Sequence, residues 1–196
     1  MEMTARQMEI INAAINIISR EGYQDLTTKH LAEQVGVSEA ALYRHFESKT
    51  DLLHKILEYF QSLAQEAMGS IQEEISDPLE QVRAFVLNRY KLFTENPDLA
   101  KVMFSEELFQ NDRSLAEHNL SIMHIHRDLL LESIRQAQQQ GQIRNDLEPI
   151  QLFRVIVGSM RLLVTQWQLC GYQFELELEG KKLWETILKM IIKESE

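Results

Sequence analysis

Residues 27–51 read TTKHLAEQVGVSEAALYRHFESKTD, and the rest of the chain is organised around this stretch. Two amphipathic segments, each of about two turns, flank Gly36, a spacing typical of the helix-turn-helix whose second helix enters the major groove of DNA. Thr27 or Thr28 is placed to cap the first segment, whose inward face is Leu31, Ala32 and Val35. Gly36 falls where a side chain would strain the backbone, and Val37 plugs the turn into the core. Ser38 then caps a second helix, expected over 39–46, that buries Leu42 and Phe46 and uses Ala41 for close approach. Glu39, Ala40, Tyr43, Arg44 and His45 are left facing outward. Ser48 starts a third helix, with Asp51 three residues on as a short capping box. The pattern implies DNA binding.

Upstream, Met8, Ile11, Ala14, Ile15 and Ile18 form one apolar face of a helix over 4–21, with Thr4 at its start and Gly22 past its end. Downstream, the apolar pattern that begins at Leu52 and Leu53 continues to about residue 75, which makes a helix near 40 Å long at 1.5 Å per residue. Such a helix connects two domains, expected over 1–52 and 53–196. All three prolines follow a residue placed to cap, in Asp77-Pro78, Asn96-Pro97 and Glu148-Pro149, and each marks a helix start. They predict helices over 78–94, 97–109, 112–140 and 149–169, with a last one over 180–193. Residues 172–178 alternate polar and apolar, but a lone strand has no partner, so they are read as a loop, and Glu175, Glu177 and Glu179 as a solvated rim before the last helix. The expected fold is all-α, about nine helices.

Composition agrees with that class. Seven glycines and three prolines in 196 residues are few for a β-rich fold, while 44% hydrophobic and 26% charged residues are ordinary for a soluble globular protein. Cys170 is the only cysteine, so no intramolecular disulfide or multi-cysteine zinc site forms, and the thiol reads as a packed side chain. No apolar run reaches the roughly twenty residues of a membrane span, and the first residues lack a basic and apolar leader. A cytoplasmic protein is expected. The net charge of -10 excludes a generic polyanion binder. Within residues 1–55, six cations face eight acids, so DNA binding has to rest on a few well-placed groups and on dimerisation.

At GVSEAALYRHFESKTDLL, residues 36–53, the sequence resembles the TetR family of bacterial transcription regulators, and Ile11, Ala13, Ala14, Gly22, Thr27, Thr28, Leu31 and Ala32 extend the match. The resemblance implies a three-helix DNA-binding domain followed by a larger helical domain for ligand binding and dimerisation. By position it assigns backbone phosphates to Thr28, Lys29 and Lys49, and the recognition helix to Ser38, Glu39, Ala40, Ala41, Tyr43, Arg44 and His45. This chain departs from a strong base reader in Glu39-Ala40-Ala41. Glu39 can accept from cytosine, the alanines can touch a thymine methyl, and Arg44 alone can grip guanine with two hydrogen bonds. Two half-sites and DNA shape are therefore expected to supply specificity. The string SEAALYRHF also resembles the nucleoid-occlusion members of that family, which implies a second reading: DNA binding that positions an agent acting on a cell-division partner rather than on transcription.

The helix from Pro149 is apolar on too broad a front for a solvated surface. With the last helix it looks like the family's four-helix dimer interface, which assigns Phe153, Ile156, Val157, Met160, Leu163, Val164, Trp167, Leu183, Ile187 and Ile191 to a homodimer; intramolecular core is the other reading. Family analogy also places a pocket for a small-molecule effector near Phe85, Tyr90, Met103, Phe104, Met123 and Trp167, and Phe93 and Phe109 belong to the same aromatic group. Ordinary core packing explains each of these equally well. No cofactor or metal is expected. His124 and His126 point about 200° apart on a helix, and His118 reads as a solvated or locally bonded histidine. No nucleophile motif or phosphate-cradling glycine loop suggests an enzyme.

Overall fold

The structure, a computed structural model, describes residues 3–105 and 112–192. Nine α-helices occur among them: α1 Ala5–Arg20, α2 Thr28–Val35, α3 Glu39–Leu42, α4 Lys49–Glu74, α5 Pro78–Glu95, α6 Pro97–Met103, α7 Arg113–Gln139, α8 Pro149–Leu169 and α9 Leu176–Ile191. The only extended pairing among the described residues is one isolated bridge, Ile143 to Ile192. Two compact units account for the chain, residues 1–62 with 98–122 and residues 63–97 with 123–196.

In the first unit, Thr4 caps α1 through a full capping box, its hydroxyl accepting from the Gln7 N–H while Gln7 accepts from the Thr4 N–H. Ile10, Ile11, Ala14, Ile15, Ile17 and Ile18 are buried, so α1 is scaffold. Gly36 ends α2 at φ 72°, a left-handed conformation that a side chain would strain. Residues 98–122 add a contact that periodicity does not encode. Asp98, in the first turn of α6, accepts from Asn16 Nδ2 at 3.2 Å and from Ser19 Oγ at 2.6 Å, and Lys101 Nζ donates to the Ser19 carbonyl. α6 is thereby pinned to α1 by groups that a helix pattern alone reads as solvent-facing.

In the second unit α9 lies against α5 and α8. Val82, Phe85, Val86, Tyr90 and Phe93 of α5 meet a core completed by Leu176, Trp184, Ile187 and Ile191 of α9 and Leu152, Ile156, Met160, Val164 and Trp167 of α8. Gly180 is what lets α9 approach: a Cβ built there would stand 2.3 Å from Cδ2 of Tyr90. The buried pair Gln81 and Ser133 is satisfied, with Ser133 Oγ donating to Gln81 Oε1 at 2.8 Å and Gln81 Nε2 donating to the Ile75 carbonyl at 2.7 Å.

Several expected boundaries move. The recognition helix is α-helical only over Glu39–Leu42, because His45 N–H turns back to the Leu42 carbonyl three residues earlier, tightening the chain so that Phe46 reaches the core before α4 begins. The last helix starts at Leu176 rather than at 180. Leu176 is buried, and Glu177 and Glu179 occupy the first turn, where carboxylates favour the helix dipole; part of the expected loop is helix. α6 ends at Met103, and the continuation expected through Phe109 lies outside the described residues from 106 onward, as does Lys193 at the expected end of the last helix.

Candidate nucleic-acid interface

Local capping sets the geometry of the helix-turn-helix. Thr27 Oγ1 accepts from the His30 N–H at 3.1 Å, Ser38 Oγ from the Ala41 N–H at 3.2 Å, and Ser48 Oγ from the Asp51 N–H at 3.0 Å. Asp51 Oδ2 reciprocates by accepting from the Glu47 N–H at 3.0 Å. Three helix starts are thus held within one short stretch, each with unpaired N–H groups and a partial positive charge suited to an anion. Leu31, Ala32, Leu42 and Phe46 are buried beneath them.

Thr28, Tyr43, Ser48 and Lys49 gather around one small cavity of about 20 Å³, floored by Leu26, Leu31, Leu42 and Leu52. Its volume is that of a single water molecule, so the groups around it act by their outer faces. Tyr43 is 51% exposed; Lys29, Ser38, Glu39, Ala40 and Arg44 are exposed, and Thr28, Ala41, His45 and Lys49 are half-buried. Thr28 Oγ1 donates to Glu39 Oε2 at 3.0 Å, tying the start of α2 to the start of α3. Lys49 Nζ sits 3.9 Å above the Tyr23 ring and donates to the Tyr23 carbonyl at 3.1 Å. Partial burial lowers the Lys49 ammonium below the ordinary lysine value. Sequence reasoning missed Tyr23 as the support for this lysine; an aromatic four residues before the Thr27 cap was the available signal.

The other assigned residues are placed as follows. Met103 is buried and Phe104 half-buried in the first unit, while Phe85, Tyr90 and Trp167 are buried and Met123 is exposed in the second. Among the interface residues, Ile156, Met160, Val164, Trp167, Ile187 and Ile191 are buried within the second unit and Phe153, Val157, Leu163 and Leu183 are half-buried. Val155, Leu162 and Leu169 of α8 and Met190 of α9 are exposed, Leu162 by 60%. The second unit also contains a groove of about 450 Å³ between α4 and α5, lined by residues that include Leu63, Ala67, Ile71, Asn88, Arg89 and Leu92 and by none of the six expected pocket residues. Among the described residues no cluster of three histidine, cysteine or acidic side chains is arranged for a metal, and His118 meets His54 with their Nδ1 atoms 2.7 Å apart. No described helix is long and apolar enough to cross a membrane.

Residues 10–56 match the family model described as bacterial regulatory proteins of the TetR family, and residues 53–193 match the model of the C-terminal region of YsiA-like proteins. The chain belongs to the TetR family. It is a DNA-binding regulator with a helix-turn-helix at its N-terminal end. Among its TetR relatives, the nucleoid occlusion factor SlmA of Vibrio vulnificus is 33% identical over 165 residues, covering 81% of this chain and 84% of that protein. SlmA of Photobacterium profundum is 32% identical over 194 residues, covering 87% and 96%. The fold is shared with the fatty acid degradation regulator FadR from Bacillus halodurans, at TM-score 0.84 and 21% identity over 96% of this chain and 97% of that one. It is also shared with FadR from Bacillus subtilis in complex with stearoyl-CoA, at TM-score 0.82 and 22% identity over 92% and 97%.

Proposed function

We propose that the chain is a homodimeric repressor whose residues 1–52 bind a palindromic operator and whose residues 53–196 dimerise and take a small-molecule effector. The grouping of Thr28 and Lys49, at the starts of α2 and α4, with Tyr43 at the end of α3 carries this reading, since hydroxyls, a lysine and helix N-termini are what hold a phosphate backbone. Lys29 adds a further phosphate contact. Glu39, Ala40, Ala41, Arg44 and His45 face the bases, with Ser38 holding the start of their helix. Few of them carry base-specific hydrogen bonds, so two half-sites about 34 Å apart supply the specificity.

The dimer surface is the exposed row Val155, Leu162 and Leu169, repeated every seven residues along α8, together with Met190 of α9. Phe153, Val157, Leu163 and Leu183 form its margins, and the buried Ile156, Met160, Val164, Trp167, Ile187 and Ile191 form the layer beneath. Effector binding favours a spacing of recognition helices that no longer fits successive major grooves. The protein acts in the cytoplasm and not as an enzyme.

A second reading draws on the relatives named as nucleoid occlusion factors: DNA binding would localise a protein that acts on a cell-division partner. A genome-wide map of binding sites separates the two. One or two promoter sites, including one beside its own gene, support the repressor; many dispersed chromosomal sites support the second reading.

A further inference from the structure

Arg89 is 4% exposed, and among the described residues no carboxylate is one of its hydrogen-bond partners. Its Nη2 donates to the Leu63 carbonyl at 3.2 Å and to Asn88 Oδ1 at 2.6 Å, both neutral acceptors, while Nε and Nη1 are buried with no acceptor at all. The guanidinium carbon lies 5.2 Å from the Phe85 ring centroid, which stacks against the charge but accepts no conventional hydrogen bond. Burial lowers Arg89 to about 10, so it is still a cation at neutral pH. His126, held down to about 4 by burial and by Arg89, is neutral there and offers no compensating charge. A buried cation with unused donors is costly and calls for an anion.

The residue also lines the α4–α5 groove, as do both of its neutral partners. At about 450 Å³ the groove is the size of a small-molecule site. Its walls are divided by chemistry. Leu63, Ala67, Ile71 and Leu92 supply apolar surface, whereas Glu66, Glu74, Lys91 and Glu95 are exposed, with Lys91 Nζ 3.8 Å from Glu95 Oε1. With Lys91 paired to Glu95, Glu66 and Glu74 still disfavour a polyanion such as a nucleotide, and a single negative charge joined to an apolar body fits both parts. We propose that Arg89 anchors the carboxylate of a small amphiphilic acid whose apolar chain lies along Leu63, Ala67, Ile71 and Leu92 between α4 and α5. Asn88 is half-buried, and its side chain swings aside so that the carboxylate replaces a neutral acceptor with a charged one. The proposal rests on reading the chain as an effector-responsive regulator and names the effector's chemical class.

The test is calorimetric titration of the full chain, without DNA and at fixed ionic strength, with octanoate and with its uncharged analogue octanamide. Octanoate is expected to bind saturably, and octanamide about tenfold to a hundredfold more weakly, the loss of one charge-assisted hydrogen-bond set. Arg89→Met should abolish the preference for the acid, Arg89→Lys should retain a weaker one, and Asn88→Ala should bind octanoate at least as tightly as the wild type. Absence of saturable octanoate binding, equal affinity for the two probes, or an unchanged preference in Arg89→Met overturns the proposal. If Arg89→Met does not fold, the acid-to-amide ratio in the wild type and in Asn88→Ala decides it. DNA is absent from the titration, so failure of wild-type protein to bind an operator in a separate experiment without octanoate counts against the repressor reading alone.

Discussion

Replacing Gly180 with alanine adds one methyl group where the second unit has no room for it. The new Cβ would lie 2.3, 2.5 and 2.8 Å from Cδ2, Cε2 and Cγ of Tyr90, against the 3.5–4.0 Å or so of an ordinary carbon contact. Relief requires a shift of about 1 Å, either of α9 away from α5 or of a rigid ring that is 1% exposed. Overpacking of this kind costs about 1–3 kcal/mol, and the depth of the clash places the change at the upper end. Alanine in a helix interior recovers about 1 kcal/mol relative to glycine, leaving a net loss of about 2 kcal/mol. For a chain of this size that lowers the melting temperature by about 4–8 °C. Thermal and urea unfolding at one fixed protein concentration measure it, since the proposed dimerisation would make stability concentration-dependent. A Gly180→Ala protein as stable as the wild type, or more so, would refute the close approach of α9 to Tyr90.

His126 gives an acid-sensitive stability term. Because its folded value is depressed to about 4, the unfolded chain takes up a proton below about pH 6.5 that the folded chain refuses, so stability is intact above that pH and falls as it is lowered toward 4. Between pH 7.5 and 5 the loss is about 2 kcal/mol; urea titrations should find that His126→Gln loses less over this interval by about that amount, and equal losses would contradict it. Leu162→Glu places a charge in the exposed row of α8, and sedimentation should show a monomer with unchanged helical content. A dimer of wild-type strength would move the interface elsewhere.

The helix starts were readable because their determinants are local. Thr4, Thr27, Ser38, Ser48 and Asp77 each accept from an N–H three residues ahead, and Gly36 takes the left-handed conformation its position demanded. The apolar face of α1 followed from spacing alone. What the sequence hid depends on partners far along the chain. Gly180 looks like a helix boundary and is an interior contact with Tyr90. Asp98 and Lys101 look solvated, yet they hold α6 to α1. At the candidate site, the hydroxyls and cations were legible from motif and capping, while the support of Lys49 by Tyr23 was marked only by the aromatic position before the Thr27 cap, since no periodicity links the two. Arg89 did leave a trace: it falls on the same face of α5 as Val82, Phe85, Val86 and Phe93, an odd place for a charge.

Operator affinity as a function of salt, for the wild type and for the variant carrying Tyr43→Ala and Lys49→Ala, tests the assignment of the helix-turn-helix most directly. Removing Lys49 takes away one phosphate contact, so the slope of log affinity against log salt should flatten by about 1, and at moderate salt the double variant should bind at least about tenfold more weakly. A double variant that keeps wild-type affinity and slope contradicts the placement of the DNA backbone against the starts of α2 and α4.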